Sequence, residues 1–168
     1  MFRSIAIQAI ICFIAFQAIS FYQERNMLST NTPLSQSPNA DDLVFDNIAT
    51  TLGDTVSLKA QGKTTIIYFF APWCSVCHAS ISNLQSLFEQ NENIDVIAVA
   101  LDYTSFDQVL MFTNEHQLTF PVALGNEKIK KAFSVSAYPI YYVIDEKNEV
   151  VARSMGYSTK LGLYLRSL

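Results

Sequence analysis

The order of segments after residue 40 predicts an α/β sandwich: a central mixed sheet flanked by helices. Three observations carry that expectation. Short apolar, β-rich runs at 66–70 and 94–100 alternate with helical patterns, a hairpin signal follows, and a last helix closes the chain. With 168 residues, half of them apolar, there is room for one ordinary domain and an appendage. A net charge of −4 argues against a nucleic-acid binder, which would carry a basic face.

Taken in order, Ile66-Ile67-Tyr68-Phe69-Phe70 is a short buried strand, and residues 74–88 have helical periodicity. The run IDVIAVA at 94–100 is a second strand. Ser105 and Gln108 have the spacing of a capping box ahead of Phe106, Val109 and Leu110. Asn126 is placed to cap a short helix carrying Ile129 and Phe133. Strands at 140–144 and 150–152 flank the turn Asp145-Glu146-Lys147-Asn148, which predicts a hairpin. In the last helix Leu161, Leu165 and Leu168 fall on one side, the expected buried stripe.

The N-terminal part reads differently. Residues 5–22 are apolar except for Gln8, Gln17 and Ser20, near the lower length limit for crossing a bilayer. A membrane anchor or a cleaved signal would both look like this; Ala18-Ile19-Ser20 is a poor cleavage site, so residues 1–22 are predicted to be an anchor or uncleaved signal. Arg3 before the run and Arg25 beside Glu24 after it nearly balance, and the short N-terminus favours an exported domain. Residues 26–40 carry no charge and are rich in Asn, Ser, Thr and Pro, so 23–40 is expected to be a flexible linker and 41–168 the domain.

Of three cysteines, Cys12 lies in the apolar run, leaving Cys74 and Cys77 as the pair. One close pair in a domain with a large core points to chemistry rather than stapling. Two cysteines three apart at a helix start are close enough to close a small ring. Cys77, Ile81, Leu84 and Phe88 share the apolar face, with His78, Ser82, Gln85 and Glu89 opposite. Cys74 sits where unpaired N–H groups and the helix dipole favour an anion, so it is the expected nucleophile. Cys77, shielded by the core, is the expected resolving thiol.

Rival chemistries use the same residues. A zinc site on this pair needs two more ligands, with only His78 and His116 as extras. Cys74-Ser75-Val76-Cys77-His78 also fits the C-x-x-C-H pattern of c-type haem attachment, but no second axial ligand stands out. A Cu(I) module using Cys74, Cys77 and His78 is a third alternative, without a further cluster of soft ligands.

The string Tyr68-Phe69-Phe70-Ala71-Pro72-Trp73-Cys74-Ser75-Val76-Cys77 resembles the active-site strand and turn of thioredoxin-like proteins. The nearest likeness is to the membrane-anchored TlpA/ResA-like branch, in particular the ScsD-like disulfide oxidoreductases. Tyr138-Pro139 ahead of a strand resembles the family's cis-proline loop, and Gly156-Tyr157-Ser158-Thr159 resembles the ending of the narrower group. The likeness spans 41–168 and implies a thioredoxin fold and a protein-disulfide oxidoreductase. It implies a cis bond before Pro139, with Trp73, Tyr138 and Pro139 binding an extended substrate segment. It implies no cofactor beyond the Cys74–Cys77 disulfide. The implied partners are exported protein thiols and a membrane electron donor or acceptor, and the implied place is the periplasmic side of the inner membrane.

This sequence also departs from the family. Tyr68 stands where thioredoxin has a buried aspartate, Tyr138 is bulkier than usual before the cis-proline, and His78 replaces a common basic residue. On the wet face, a charged His78 would support the Cys74 thiolate. The anchored relatives lean towards reductants, which is the direction expected here over oxidase or isomerase.

Overall fold

The structure is a computed structural model. It describes residues 27–36 and 45–168, with single positions at 7, 8, 10, 11 and 14. The anchor expected over 1–22 therefore falls almost wholly outside the described residues, as does Cys12. Among the described residues no helix is long and apolar enough to cross a membrane.

Two short strands, β1 (Ile48–Ala49) and β2 (Thr55–Val56), pair antiparallel before the main sheet begins. The sheet is built from β3 (Thr64–Phe70), β4 (Ile94–Ala100), β5 (Val122–Leu124), β6 (Ile140–Ile144) and β7 (Val150–Met155). Its order is β5-β4-β3-β6-β7. β3 runs parallel to β4 and antiparallel to β6, so the sheet is mixed, as expected. The helices are α1 (Ser75–Gln90), α2 (Phe106–Glu115), α3 (Glu127–Ala132) and α4 (Lys160–Arg166).

Alternation along β3 divides the core in two, because successive strand side chains point to opposite faces. Ile67 and Phe69 face a layer holding Ile129 and Phe133. Ile66, Tyr68 and Phe70 face the layer of α1, α2 and α4, with Cys77, Ile81, Leu84, Val109, Phe112 and Leu163. A strand covered on both faces has no polar side, which explains the unbroken run IIYFF.

Four expectations need correction. Met27, Leu28 and Leu34, read as part of a linker, are buried. Arg153 donates to the carbonyls of Met27 and Leu28, Asn31 N–H donates to Val150 O at 2.7 Å, and Val150 N–H donates to Thr32 O at 3.0 Å. Polar composition hid three apolar anchors and a backbone that satisfies the outer edge of β7. In α4 the buried leucine is Leu163, while Leu161, Leu165 and, just past the helix end, Leu168 are exposed by 65%, 59% and 84%. A helix of two turns touches the core at one residue, so among the described residues nothing covers the longer stripe. The capping box at α2 is displaced: Ser105 makes no side-chain cap bond, and Gln108 Oε1 accepts from Thr104 N–H at 3.0 Å. Finally, β7 runs three residues beyond the strand expected at 150–152.

Candidate active site

β3 delivers the chain to the top of the sheet at Phe70, and Ala71-Pro72-Trp73 turns it into α1. Cys74 is the N-cap: its N–H donates to Ala71 O at 3.0 Å and its Sγ accepts from Cys77 N–H at 3.2 Å. Cys74 and Cys77 are joined as a disulfide with Cα atoms 5.2 Å apart. The expected contrast in exposure is smaller than the sequence suggests. Cys77 is fully buried, and Cys74 is itself only 6% exposed. What separates them is position: Cys74 meets the free N–H groups of the helix start, whereas Cys77 belongs to the core beneath.

Trp73, 64% exposed, stands at the rim. Its indole N–H donates to Asp102 O at 2.9 Å, and its ring meets Tyr138 edge to face with centroids 5.9 Å apart. Tyr138 O–H donates to Asp102 Oδ2 at 3.0 Å, and Lys130 Nζ donates to both carboxylate oxygens at 2.6 and 2.8 Å. The Lys130 ammonium, helped by the Tyr138 hydroxyl and opposed by burial, holds the Asp102 carboxyl below the usual carboxylate range. Burial and the Asp102 anion push the Tyr138 phenol above its ordinary value. The peptide bond between Tyr138 and Pro139 is cis, and Pro139 O accepts from Gly156 N–H at 2.7 Å. Gly156 has φ +88°, a left-handed conformation that suits glycine.

Beneath the disulfide, the Tyr68 hydroxyl is buried and 2.6 Å from Ser80 Oγ. Burial raises its pKa, so Tyr68 stays a phenol and supplies no carboxylate to take the Cys77 proton. His78 is half-buried rather than on a wet face. Its Nε2 lies 2.8 Å from Pro72 O and its Nδ1 2.8 Å from His116 Nε2, over the ring of Phe112. The nitrogen that an axial haem ligand would need is thus committed to a backbone carbonyl. Burial and the neighbouring His78 lower the pKa of His116, against the pull of Glu115. Gln85 is also buried, bonded to Thr119 across to the loop after α2.

Cys74, Cys77, Trp73 and Tyr138 are therefore brought together, with Pro139 buried beside Tyr138. Asp102, Lys130 and Ser80 were missed, and His116 had been named only as a spare ligand for a zinc site on the cysteine pair. Asp102 had one signal: it lies just past the carboxyl end of β4, where sites gather on open α/β sheets.

The redoxin family model matches residues 35–162. The chain belongs to the redoxin family. This redoxin is 32% identical over 120 residues to the thioredoxin-like protein YneN of Bacillus subtilis, covering 68% of this chain and 69% of the relative. It is 28% identical over 154 residues to the thiol-disulfide oxidoreductase ResA of Oceanobacillus iheyensis, covering 89% and 77% respectively. Among solved structures, StoA from Bacillus subtilis superposes with a TM-score of 0.66 at 23% identity, over 72% of this chain and 94% of that one. The architecture is the thioredoxin fold, and this redoxin is a thiol-disulfide oxidoreductase with Cys74 and Cys77 as its pair.

Proposed function

We propose that the Cys74/Cys77 dithiol reduces disulfides in exported proteins from a membrane-held domain. The Cys74 thiolate attacks a substrate sulfur, forming a mixed disulfide and releasing one substrate thiolate. Cys77 then attacks Cys74 Sγ, restoring the intramolecular disulfide and releasing the second substrate thiol. Two electrons pass to the substrate, and a membrane donor returns them. The observation that carries this reading is the Cys77 N–H directed at Cys74 Sγ at a helix start, a bond that a thiolate would strengthen. Trp73, Tyr138 and Pro139 would line the substrate strand, with Tyr138 offering its backbone. His78 acts on the thiolate only indirectly, through the Pro72 carbonyl. The apolar run at 5–22 supports a single N-terminal anchor in the inner membrane with the domain on the periplasmic side.

Trapping in cells tests the assignment. Cys77→Ser should accumulate mixed disulfides and Cys74→Ser none; equal trapping by both rejects the roles. Titration against glutathione tests direction, and a midpoint near the roughly −120 mV of strong oxidants rejects the reductant reading. Recovery of the domain in a soluble fraction rejects the anchor.

A further inference from the structure

Beside the disulfide turn, two imidazoles and a carboxylate converge, and none of them touches the sulfurs that exchange. His78 lies in the first turn of α1, Glu115 ends α2 and His116 is its C-cap. One ligand atom from each lies within 4.8 Å of the other two. A backbone carbonyl only accepts, so the contact from His78 Nε2 to Pro72 O places the ring proton on Nε2. The lone pair on His78 Nδ1 is left facing His116 Nε2, which supplies the proton between them. Glu115 Oε2 stands 3.8 Å from the same Nδ1.

That is the arrangement by which proteins orient a metal-binding histidine: the far nitrogen donates to a carbonyl, and the near one presents its lone pair. Phe112 restrains both rings, with centroids 4.6 Å from each. A cavity of about 260 Å³, lined by Trp73, Gln108 and Met111 together with His78 and Glu115, opens alongside. It leaves room for water as a further ligand.

We propose that His78 Nδ1, His116 Nε2 and Glu115 Oε2 bind one divalent cation of the zinc class. The ion takes the place of the proton now shared by the two rings; that proton moves to His116 Nδ1 or is lost to solvent. Two nitrogens on one tetrahedral ion, each about 2.0–2.1 Å from it, stand roughly 3.3 Å apart. The rings must therefore part by about half an ångström from their 2.8 Å contact. His116, at a helix end, makes that adjustment by a small slide over Phe112, and Glu115, with its side chain 64% exposed, follows it. Bound there, the ion ties the start of α1 to the end of α2 without touching either cysteine. The site stands or falls separately from the dithiol chemistry.

The test is calorimetric titration of Zn²⁺ into the oxidised, untagged full chain carrying Cys12→Ser in non-ionic detergent, so that with Cys74 and Cys77 joined no thiolate competes. One saturable site per chain is expected. His78→Gln and His116→Gln should each weaken it at least tenfold, and Glu115→Gln about threefold. Zn²⁺ should raise the melting temperature of the parent chain and leave that of His116→Gln unmoved. Glu115→Gln changes an exposed side chain and keeps the fold, so it reads the site even if a histidine variant misfolds. Absence of saturable binding, or unchanged binding in His116→Gln and Glu115→Gln, overturns the proposal.

Discussion

The turn that carries Cys74 is held from two sides by different means. On one flank the Trp73 indole donates to Asp102 O, and the Asp102 carboxylate gathers Lys130 and Tyr138. On the other, His78 donates to Pro72 O, backed by His116 and floored by Phe112. Each flank fixes the turn through one bond involving a backbone carbonyl. They differ in what lies behind that bond: an ion pair open to water on the Asp102 side, a buried aromatic layer on the His78 side. The lesson is that the apolar flank should govern stability and the charged flank should govern how substrate is received.

Substitutions on each flank test that contrast. The largest effect is expected from Phe112→Ala, which removes a buried ring stacked on Phe70 at 4.4 Å and in contact with His78. A loss of about 3–5 kcal/mol is expected in urea unfolding; a loss no larger than that of an Asp102 variant would erase the distinction. Ser80→Ala tests the layer beneath both flanks by leaving the buried Tyr68 hydroxyl unpaired. It should cost about 1–3 kcal/mol by the same measurement.

Asp102→Asn should be milder in stability, about 1 kcal/mol or less, because an ion pair this exposed is screened by solvent. Its main effect should be a several-fold rise in KM for insulin reduction, as Tyr138 loses its carboxylate partner, with smaller change in kcat. Its pH dependence has a definite sign. The folded carboxyl titrates below its ordinary value, so its contribution is in place above the unfolded pKa and lost as pH falls through the folded one. The stability gap between parent and Asp102→Asn should therefore close as pH drops below about 4. A gap that widens in acid would contradict the ion-pair account. The smallest effect is expected from Leu165→Ser, an exposed position remote from both flanks, within about 0.5 kcal/mol of the parent.

Much of this was legible in the sequence for local reasons. A continuous apolar strand, a Trp-Cys-x-x-Cys turn and an amphipathic helix follow one another without a gap, so β3, α1 and the cysteine pair could be read directly. The hairpin of β6 and β7 was equally plain, because Asp145 and Asn148 form its turn. The docked stretch 27–36 was misread because its anchors, Met27, Leu28 and Leu34, are sparse among polar residues and are held by Tyr142, Arg153 and Asn148, each more than a hundred positions away.

By itself, the sequence determined the pair of sulfurs, the strand that delivers them and the helix that begins at them, since all three depend on neighbours within a few residues. Tertiary structure alone decided what surrounds that pair. Asp102 meets Trp73 across 29 positions and Tyr138 across 36, and His78 meets His116 across 38. Such meetings are set by parallel pairing of β3 with β4 and by the packing of α1 against α2, and periodicity along the chain carries no record of them.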